Sequence, residues 1–209
     1  METAQFLVMI LMAVSLSAAA GLRAFLPLFA ISILSLSGHI TLASGFDWLS
    51  SPESAIVFGL AVLLEILSDK VPGLDNALDA VGLVVKPLAA ALLSSALIVG
   101  MDPLLSVVLG LIIGGSVASV IHIGKAKLRL GSTMFTGGAG NPALSLAEDG
   151  MSVIGTGISI LLPVFSGILV LGVVWLLARK LVHRRRPITA TLHDASGELI
   201  GETDARQLG

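Results

Sequence analysis

Long apolar runs decide what this 209-residue sequence can fold into, because about 20 consecutive apolar residues are enough for a helix to cross a bilayer. Six runs can be distinguished, at residues 5–20, 24–44, 54–68, 76–99, 103–123 and 152–182. Only 12% of the residues are charged, against about 25% in an ordinary soluble domain. The sequence predicts an all-α, polytopic transmembrane bundle of about six segments.

Two runs open with helix-start signals. Ser51, Pro52 and Glu53 offer a capping hydroxyl, a proline for the first turn and an early acid, and Asp102 followed by Pro103 has the same character. We expect helices to begin at these two places.

Domain organisation follows from length. Residues 1–186 are predicted to form one transmembrane domain, because about five to seven spans leave no room for a sizeable soluble domain. Residues 187–209 are predicted to be a short cytoplasmic tail, either a small hairpin or disordered. The first 21 residues end in small side chains, as signal peptides do. They lack a basic start, and apolar residues resume after Arg23, so we expect a retained helix.

Basic residues indicate the orientation. Five of them cluster around the end of the last run: Arg179, Lys180, Arg184, Arg185 and Arg186. Such clusters mark cytoplasmic ends, which predicts a cytoplasmic C-terminus. A second basic stretch, GKAKLR, follows the fifth run. One simple helix between the two clusters would put them on opposite sides, unless the segment between them crosses the membrane fully or the lysines line an aqueous vestibule.

The segment at residues 125–150 is too long for a tight connection and too rich in Gly, Ser and Thr for a full span. Either a re-entrant or broken helix buried in protein, or an ordinary surface loop, would fit it. A weak internal similarity relates two groups of small residues: Ala20, Gly21 and Ala24 match Ala139, Gly140 and Ala143 in spacing. Matching breaks in two halves are typical of inverted-repeat transporters, although chance similarity in an Ala- and Gly-rich chain also explains three small residues.

Charged residues interrupt the apolar pattern between residues 65 and 87. Glu65 and Asp69 are four residues apart, as are Asp75 and Asp79, and Lys86 follows two turns later, so each set shares a helix face. Each charge at the bilayer centre costs roughly 2.5–3.5 kcal/mol on insertion scales, so these groups must be paired, hydrated or near the interface.

These charged residues differ in how deep they lie within the apolar runs. Asp69, Lys70 and Asp75 also fit a solvated loop around Pro72. Glu65 and Lys86 lie deeper within apolar runs, and we expect a buried ion pair of Lys86 with Asp79 or Glu65. Pro87 would free a backbone carbonyl beside it for contact with a ligand.

Further candidates lie elsewhere in the sequence. Arg23 is a lone guanidinium in a Gly-broken apolar stretch and either caps an interface or pairs with an acid. The motif TGGAGNP offers backbone N–H groups before a predicted helix start at Pro142, a geometry that can bind anions. Its candidate residues, with two acids that follow, are Gly137, Gly138, Gly140, Asn141, Glu148 and Asp149.

No sequence motif supports an enzyme. His39 and His122 stand at the edges of apolar runs without a second metal ligand at suitable spacing, which favours interfacial side chains over metal ligands. The sequence has no cysteine and no HExxH, P-loop or Ser-His-Asp pattern. We therefore expect no catalytic activity, no metal and no cofactor.

Three stretches resemble a family of small bacterial integral membrane proteins known as a domain of unknown function. They are AAGLRAFLPL, EILSDKVPGLDNALDAVGLVVKPLAAAL and TGGAGNPALSLAED, and the resemblance covers most of residues 5–180. It implies a multi-pass protein of the bacterial cytoplasmic membrane. It implies no activity.

Three functions remain open. The charges would serve a transporter or channel for an ion or small solute, with or without proton coupling, in which the acids bind a cation or relay protons. Alternatively, Arg23, Lys86 and the glycine loop would bind phosphate in a lipid-headgroup translocase, or the protein would be a scaffold without catalysis. We expect the bilayer and a small ion or solute as partners and no nucleic acid; a homo-oligomer stays open. Charges converging on a shared cavity would favour transport, and charges confined to the surface would favour the scaffold.

Overall fold

The structure, a computed structural model, describes residues 3–69 and 74–183, apart from the side chains of residues 74–77 and 181–183. In this part of the chain there are eight α-helices and no strand. The helices are α1 (Thr3–Leu22), α2 (Phe25–Leu36), α3 (Pro52–Ser68), α4 (Leu74–Leu97), α5 (Pro103–Gly110), α6 (Ser116–Thr136), α7 (Asn141–Leu161) and α8 (Pro163–His183). The predicted all-α class is confirmed.

Helix starts follow local chemistry. The Ser51 hydroxyl accepts a hydrogen bond from the Ser54 N–H at 3.1 Å, which caps α3. Asp102 accepts from the N–H groups of Leu104 and Leu105 and caps α5. Both predicted helix starts are therefore confirmed.

Two apolar runs differ from the helices that they become. The second run ends early, because α2 stops at Leu36 and a non-helical connection leads to a 3-10 turn at Asp47–Ser50. The sixth run holds parts of two helices, because the helical path breaks at Leu162, just before Pro163 starts α8. Broken helices were predicted, but these two breaks were not placed.

The longest helical path runs from Pro103 to Thr136, with a π-helical turn at Leu111–Gly115 between α5 and α6. At 34 residues, it is about 51 Å long, well over the roughly 30 Å of hydrocarbon in a bilayer. Residues 125–150 consist of the last part of α6 and the first part of α7, joined by a short turn at residues 137–140. This segment is therefore not the ordinary surface loop that was one of the two alternatives. The other alternative, a re-entrant or broken helix, stays a prediction.

The core lies between α1 and α4, which meet through small side chains. Ala13 and Ala20 of α1 and Ala90 of α4 are fully buried, and the Ser17 and Ser94 hydroxyls share a hydrogen bond of 2.8 Å. Gly114 lies so close to α4 that a Cβ atom there would collide with the Ala90 carbonyl. Small residues allow such close approach between helices in membranes.

The outer surface is apolar. Among the described residues, four helical segments are long and apolar enough to cross a membrane: Thr3–Leu22, Leu78–Leu97, Pro103–Thr136 and Pro163–Lys180. Large apolar side chains such as Leu104, Ile112 and Ile154 are more than half exposed on this surface. An apolar exterior around a core with polar groups is the arrangement expected in lipid.

Residues up to Val174 form one compact unit. The described residues beyond it, 175–183, are the last turns of α8, where the Arg179 guanidinium lies 5.4 Å from the centre of the Trp175 ring. The predicted tail at residues 187–209 lies outside the described residues, as do Arg184, Arg185 and Arg186.

The two matched groups of small residues both lie near a helix break. Ala20 and Gly21 are in the last turn of α1, before the break that precedes α2, and Ala139 and Gly140 form the turn before α7. This position agrees with a weak inverted repeat. The repeat itself stays a prediction.

Candidate functional site

Nine ionisable side chains converge on one region of the bundle, which we call the charged cluster. They come from the break between α1 and α2, from the end of α3, and from α4, α6 and α7. The members are Arg23, Glu65, Asp69, Asp79, Lys86, Lys125, Arg129, Glu148 and Asp149. Six are buried and the other three are half-buried.

Arg23 joins α3 to α7. Its Nη1 donates to Asp69 Oδ2 at 2.7 Å and to the Glu65 backbone carbonyl at 3.2 Å. Its Nη2 donates to Ser145 Oγ at 3.1 Å and forms an ion pair with Asp149. Only 1% of the side chain is exposed. The lone guanidinium therefore pairs with acids, which is the second of the two roles expected for it.

Arg129 lies at the centre of the cluster, among three carboxylates. Its Nη2 is 2.9 Å from Glu148 Oε2 and 3.3 Å from Asp69 Oδ2, and its Nη1 is 3.2 Å from Asp79 Oδ2. Lys125 precedes it by four residues on the same face of α6. The Lys125 ammonium lies 2.8 Å from Glu148 and 3.5 Å from Asp79. Each carboxylate at the centre is thus shared between at least two cations.

Asp69 follows the last residue of α3, outside the four candidate spans. Burial favours its neutral form, but the positive charges of Arg23, Lys125 and Arg129 outweigh burial and hold the pKa of the Asp69 carboxyl below its usual value of 3.8. The carboxylate is therefore charged at neutral pH.

Glu65 and Lys86 stabilise the two ends of the α1–α2 break. The Glu65 carboxylate accepts hydrogen bonds from the N–H groups of Ala24 at 2.9 Å and Phe25 at 3.2 Å, at the start of α2. The Lys86 ammonium donates to the Leu22 carbonyl at 2.7 Å, at the end of α1. Each charge complements the partial charge of the helix end that it contacts.

The predicted ion pair of Lys86 with Asp79 or Glu65 is wrong. In the described part of the chain, Lys86 donates to a backbone carbonyl instead, and Asp79 pairs with Lys125 and Arg129. The break in the helix supplies an acceptor for Lys86 that a continuous helix would not have. Sequence spacing alone could not place that carbonyl.

A cavity of about 400 Å³ lies beside the cluster, between the start of α2, α3 and α4. Four members of the cluster line it: Glu65, Asp69, Asp79 and Lys86. Its apolar walls include Phe25, Leu64, Val81 and Val85. The cavity is therefore a space in which Glu65, Asp69 and Asp79 can meet a ligand.

The cluster lies towards one end of the bundle. α1 and α3 end beside it at Leu22 and Ser68, and α4 and α7 begin on the same side. Two members lie well inside a helix: Lys86 is about 18 Å along α4 from Leu74, and Lys125 is about 17 Å before the end of α6 at Thr136.

Comparison with known proteins places the chain in a family. A family model described as "Domain of unknown function (DUF4126)" matches residues 10–183, which is most of the sequence. The chain belongs to this family. No curated protein and no solved structure gives a significant match.

The glycine loop at residues 137–140 does not have the open arrangement of N–H groups that was predicted for binding an anion. The Gly140 N–H donates to the Thr136 hydroxyl at 3.0 Å, and the Asn141 N–H donates to the Gly138 carbonyl at 3.0 Å. Gly137 adopts a left-handed conformation with φ 63°, which ends α6. The N–H groups of Ala139, Gly140 and Asn141 are thus occupied within the turn and are not available to an anion as expected.

Asn141 is likewise separate from the cluster, because its side-chain amide donates to the Thr133 hydroxyl at 3.1 Å. By contrast, Glu148 and Asp149, two turns further along α7, belong to the cluster. Lys70 lies outside the described residues, and so does the side chain of Asp75.

The two histidines have different surroundings. His39 is exposed beside Ser37, as expected of an interfacial side chain. His122 is buried, and its Nε2 donates to the Asp79 backbone carbonyl at 3.1 Å, so the expectation of an interfacial position was wrong for it. No group of three or more potential ligands arranged for a metal ion occurs in residues 3–69 and 74–183.

Sequence reasoning missed Lys125, Arg129 and Ser145 as members of the site. The two cations had been assigned to an orientation signal. A usable signal existed, because Lys125 and Arg129 are four residues apart, as the acids at 65/69 and 75/79 are. That spacing identifies a charged helix face that needs acidic partners.

Proposed function

We propose that the protein is a membrane transporter or channel for an ion or small solute, with proton coupling. The observation that supports this function is the charged cluster, three of whose five carboxylates line the adjoining cavity of about 400 Å³. Ionisable residues within membrane proteins face a bundle interior or a wet cavity and mark ion pathways and proton relays.

A structural role alone accounts poorly for so many buried charges. Replacing a buried ion pair by apolar side chains of similar volume is often neutral or stabilising, by about 1–4 kcal/mol. A scaffold would gain stability from apolar packing at these positions. The scaffold function also leads us to expect charges at the surface, whereas six members of the cluster are buried.

The shared pairing suggests how a cation or proton would act. Asp79 lines the cavity and contacts both Lys125 and Arg129, which also contact Glu148 on α7. When a proton or cation neutralises Asp79, the two bases are attracted more strongly to Glu148. Binding in the cavity is thereby linked to the contact between α6 and α7.

The proposed location is the bacterial cytoplasmic membrane, with the C-terminus in the cytoplasm. Arg179 and Lys180 on α8 support this orientation. The charges of Lys125 and Arg129 are compensated by buried carboxylates. They are therefore a weak orientation signal, and the conflict between the two basic stretches is reduced to Lys127, which is exposed.

A second candidate, a lipid-headgroup translocase, is favoured by one observation. Leu64 and Val81 line the cavity and are also more than half exposed on the apolar exterior, so lipid could reach the cavity between α3 and α4. The occupied N–H groups of Ala139, Gly140 and Asn141 argue against phosphate binding at the glycine loop.

Flux measurements on proteoliposomes test the proposal. A pH dye enclosed in the vesicles reports proton flux, and a panel of cations and anions tests other ions. We expect the purified protein to carry protons or one of the cations. We expect Asp79→Asn to lower that flux. Glu53→Gln is the matched control, because Glu53 is exposed in the first turn of α3. Equal flux through wild type and Asp79→Asn would refute the mechanism. Transfer of a fluorescent phospholipid between leaflets without ion flux would favour the second candidate.

A further inference from the structure

α7 is polar inside and apolar outside. Its buried residues are Ser145, Glu148, Ser152, Thr156 and Ser159, and every one of them is polar. Its exposed residues include Val153 and Ile154, at 56% and 63% exposure. We call the four buried hydroxyl residues the hydroxyl stripe. It runs about 21 Å along the helix axis, at a rise of about 1.5 Å per residue.

The stripe follows the interface between α7 and α1 and begins in the charged cluster. Ser145 contacts Arg23 just beyond the end of α1, and the Ser152 hydroxyl donates to the Ala19 carbonyl at 3.3 Å. Further on, Gly167 of α8 lies against Leu11. The numbering decreases along α1 as it increases along α7, so the helices are antiparallel. The stripe therefore leads from the cluster through the bundle towards the start of α1.

Thr156 has a buried hydroxyl that no group in the described part of the chain satisfies. Its exposure is 3%, and its Oγ1 has no hydrogen-bond partner among the described residues. Threonine in a helix usually satisfies its hydroxyl at a preceding carbonyl, as Ser159 does by donating to the Gly155 carbonyl at 2.6 Å. An unsatisfied buried hydroxyl is costly, and such groups are normally bound by internal water.

We propose that water molecules line up along the hydroxyl stripe and conduct protons between the charged cluster and the far end of the α1–α7 interface. The proposal deepens the proposed function and rests on it, because it identifies the proton as the transported or coupling ion. Ser152, Thr156 and Ser159 are separated by about 4.5–6 Å along the axis. This separation is too long for a direct hydrogen bond but is spanned by one bridging water.

The chemistry requires no other reactant. Hydroxyl groups and water each donate and accept hydrogen bonds. A proton that arrives at one end binds the first oxygen, which releases another proton to the next oxygen in the file. One proton enters and one leaves, and no other bond changes. Glu148, which lies between Ser145 and Ser152 on the buried side of α7, provides a carboxylate at the end of the stripe in the charged cluster.

The absence of native cysteine makes the water file directly testable. A single cysteine is introduced in proteoliposomes by Thr156→Cys or, as matched control on the lipid-facing side of α7, by Ile154→Cys. The probe is the silver ion, which is similar in size to water and blocks a thiol against later labelling by a maleimide dye after denaturation. We expect silver to protect the thiol of Thr156→Cys and to leave that of Ile154→Cys unprotected. Equal protection of the two would overturn the water file.

Proton flux provides the second readout. Thr156→Val removes the hydroxyl at nearly constant volume and should lower wild-type proton flux about tenfold, a barrier increase of about 1.4 kcal/mol. Thr156→Ser keeps the hydroxyl and should retain the flux, which controls for a folding defect in the valine variant. Full flux through Thr156→Val would overturn the pathway while the proposed function stands. A wet Thr156→Cys site without wild-type proton flux would instead overturn proton conduction and leave only a hydrated interface.

Discussion

Asp69→Asn should destabilise the protein more than any shape change explains, because the substitution is nearly isosteric. The Asp69 side chain is 4% exposed, and its Oδ2 lies 2.7 Å from Arg23, 3.3 Å from Arg129 and 3.9 Å from Lys125. Removing one partner of a buried ion pair costs about 3–5 kcal/mol. Glu148 and Asp149 still pair with the three cations, so we expect a loss near the lower limit, about 3 kcal/mol.

Thermal unfolding in detergent measures this loss through the fluorescence of the two tryptophans. For a domain of this size, about 3 kcal/mol corresponds to a Tm lower by about 6–12 °C. Asp102→Asn is the matched control, because Asn caps a helix as well as Asp does and Asp102 is exposed. We expect its Tm to change by no more than about 2 °C, from a free-energy change within about 0.5 kcal/mol.

A double-mutant cycle tests whether the loss is electrostatic. Arg23→Gln combined with Asp69→Asn should destabilise the protein by at least about 1 kcal/mol less than the sum of the single changes, since each partner left alone is a buried charge. Additive effects, or a Tm for Asp69→Asn within the range of Asp102→Asn, would show that the ion pair does not stabilise the fold and would contradict this reasoning.

Three further outcomes follow from the same contacts. The pKa of Asp69 is lower in the folded protein than its usual value. Its contribution to stability is therefore present above about pH 4 and is lost as the pH falls through the lowered pKa. Asp69→Asn should make the Tm depend less on pH in that range, as measured by thermal unfolding at several pH values. Glu65→Gln should cost about 0.5–2 kcal/mol as a lost helix cap and speed hydrogen exchange of the first amides of α2, whereas Glu53→Gln should not change that exchange. Gly114→Ala should cost about 1–3 kcal/mol of stability, because its Cβ would collide with α4. Gly115→Ala should be neutral or slightly stabilising, since its Cβ would meet only a carbonyl at 3.8 Å. Equal Tm values for the two alanine variants would contradict the close helix contact.

The sequence was sufficient for the helical class because local rules determine it. Apolar runs set the helices, and Ser51 and Asp102 set two starts through their own side chains. Both signals act within a few residues, so they are readable without knowledge of neighbouring helices. The break at Leu162 was missed for the opposite reason, because a proline within a long apolar run permits either a kinked helix or two helices.

Contacts between helices were only partly predictable. The acids at 65, 69 and 79 indicated a polar region, because charge in an apolar context is costly wherever the chain leads. Their partners could not be identified, since Arg129 is 60 residues from Asp69 in sequence and meets it only through the packing of α6. The basic stretch of α6 also matched an orientation signal, and only the structure shows that two of its three cations, Lys125 and Arg129, are buried among carboxylates.

The α1–α2 break shows why the cluster and the cavity should act together under the proposed function. Glu65 holds the first N–H groups of α2, Lys86 holds the last carbonyl of α1, and both side chains line the cavity. A cation that binds Glu65, or an acceptor that binds Lys86, must compete with a helix end for the same charged group. Ligand binding therefore weakens the contacts that fix the angle between α1 and α2, while α1 also forms one side of the hydroxyl stripe. Occupancy of the cavity and the geometry of the proposed proton path are thus coupled through one short break in the backbone.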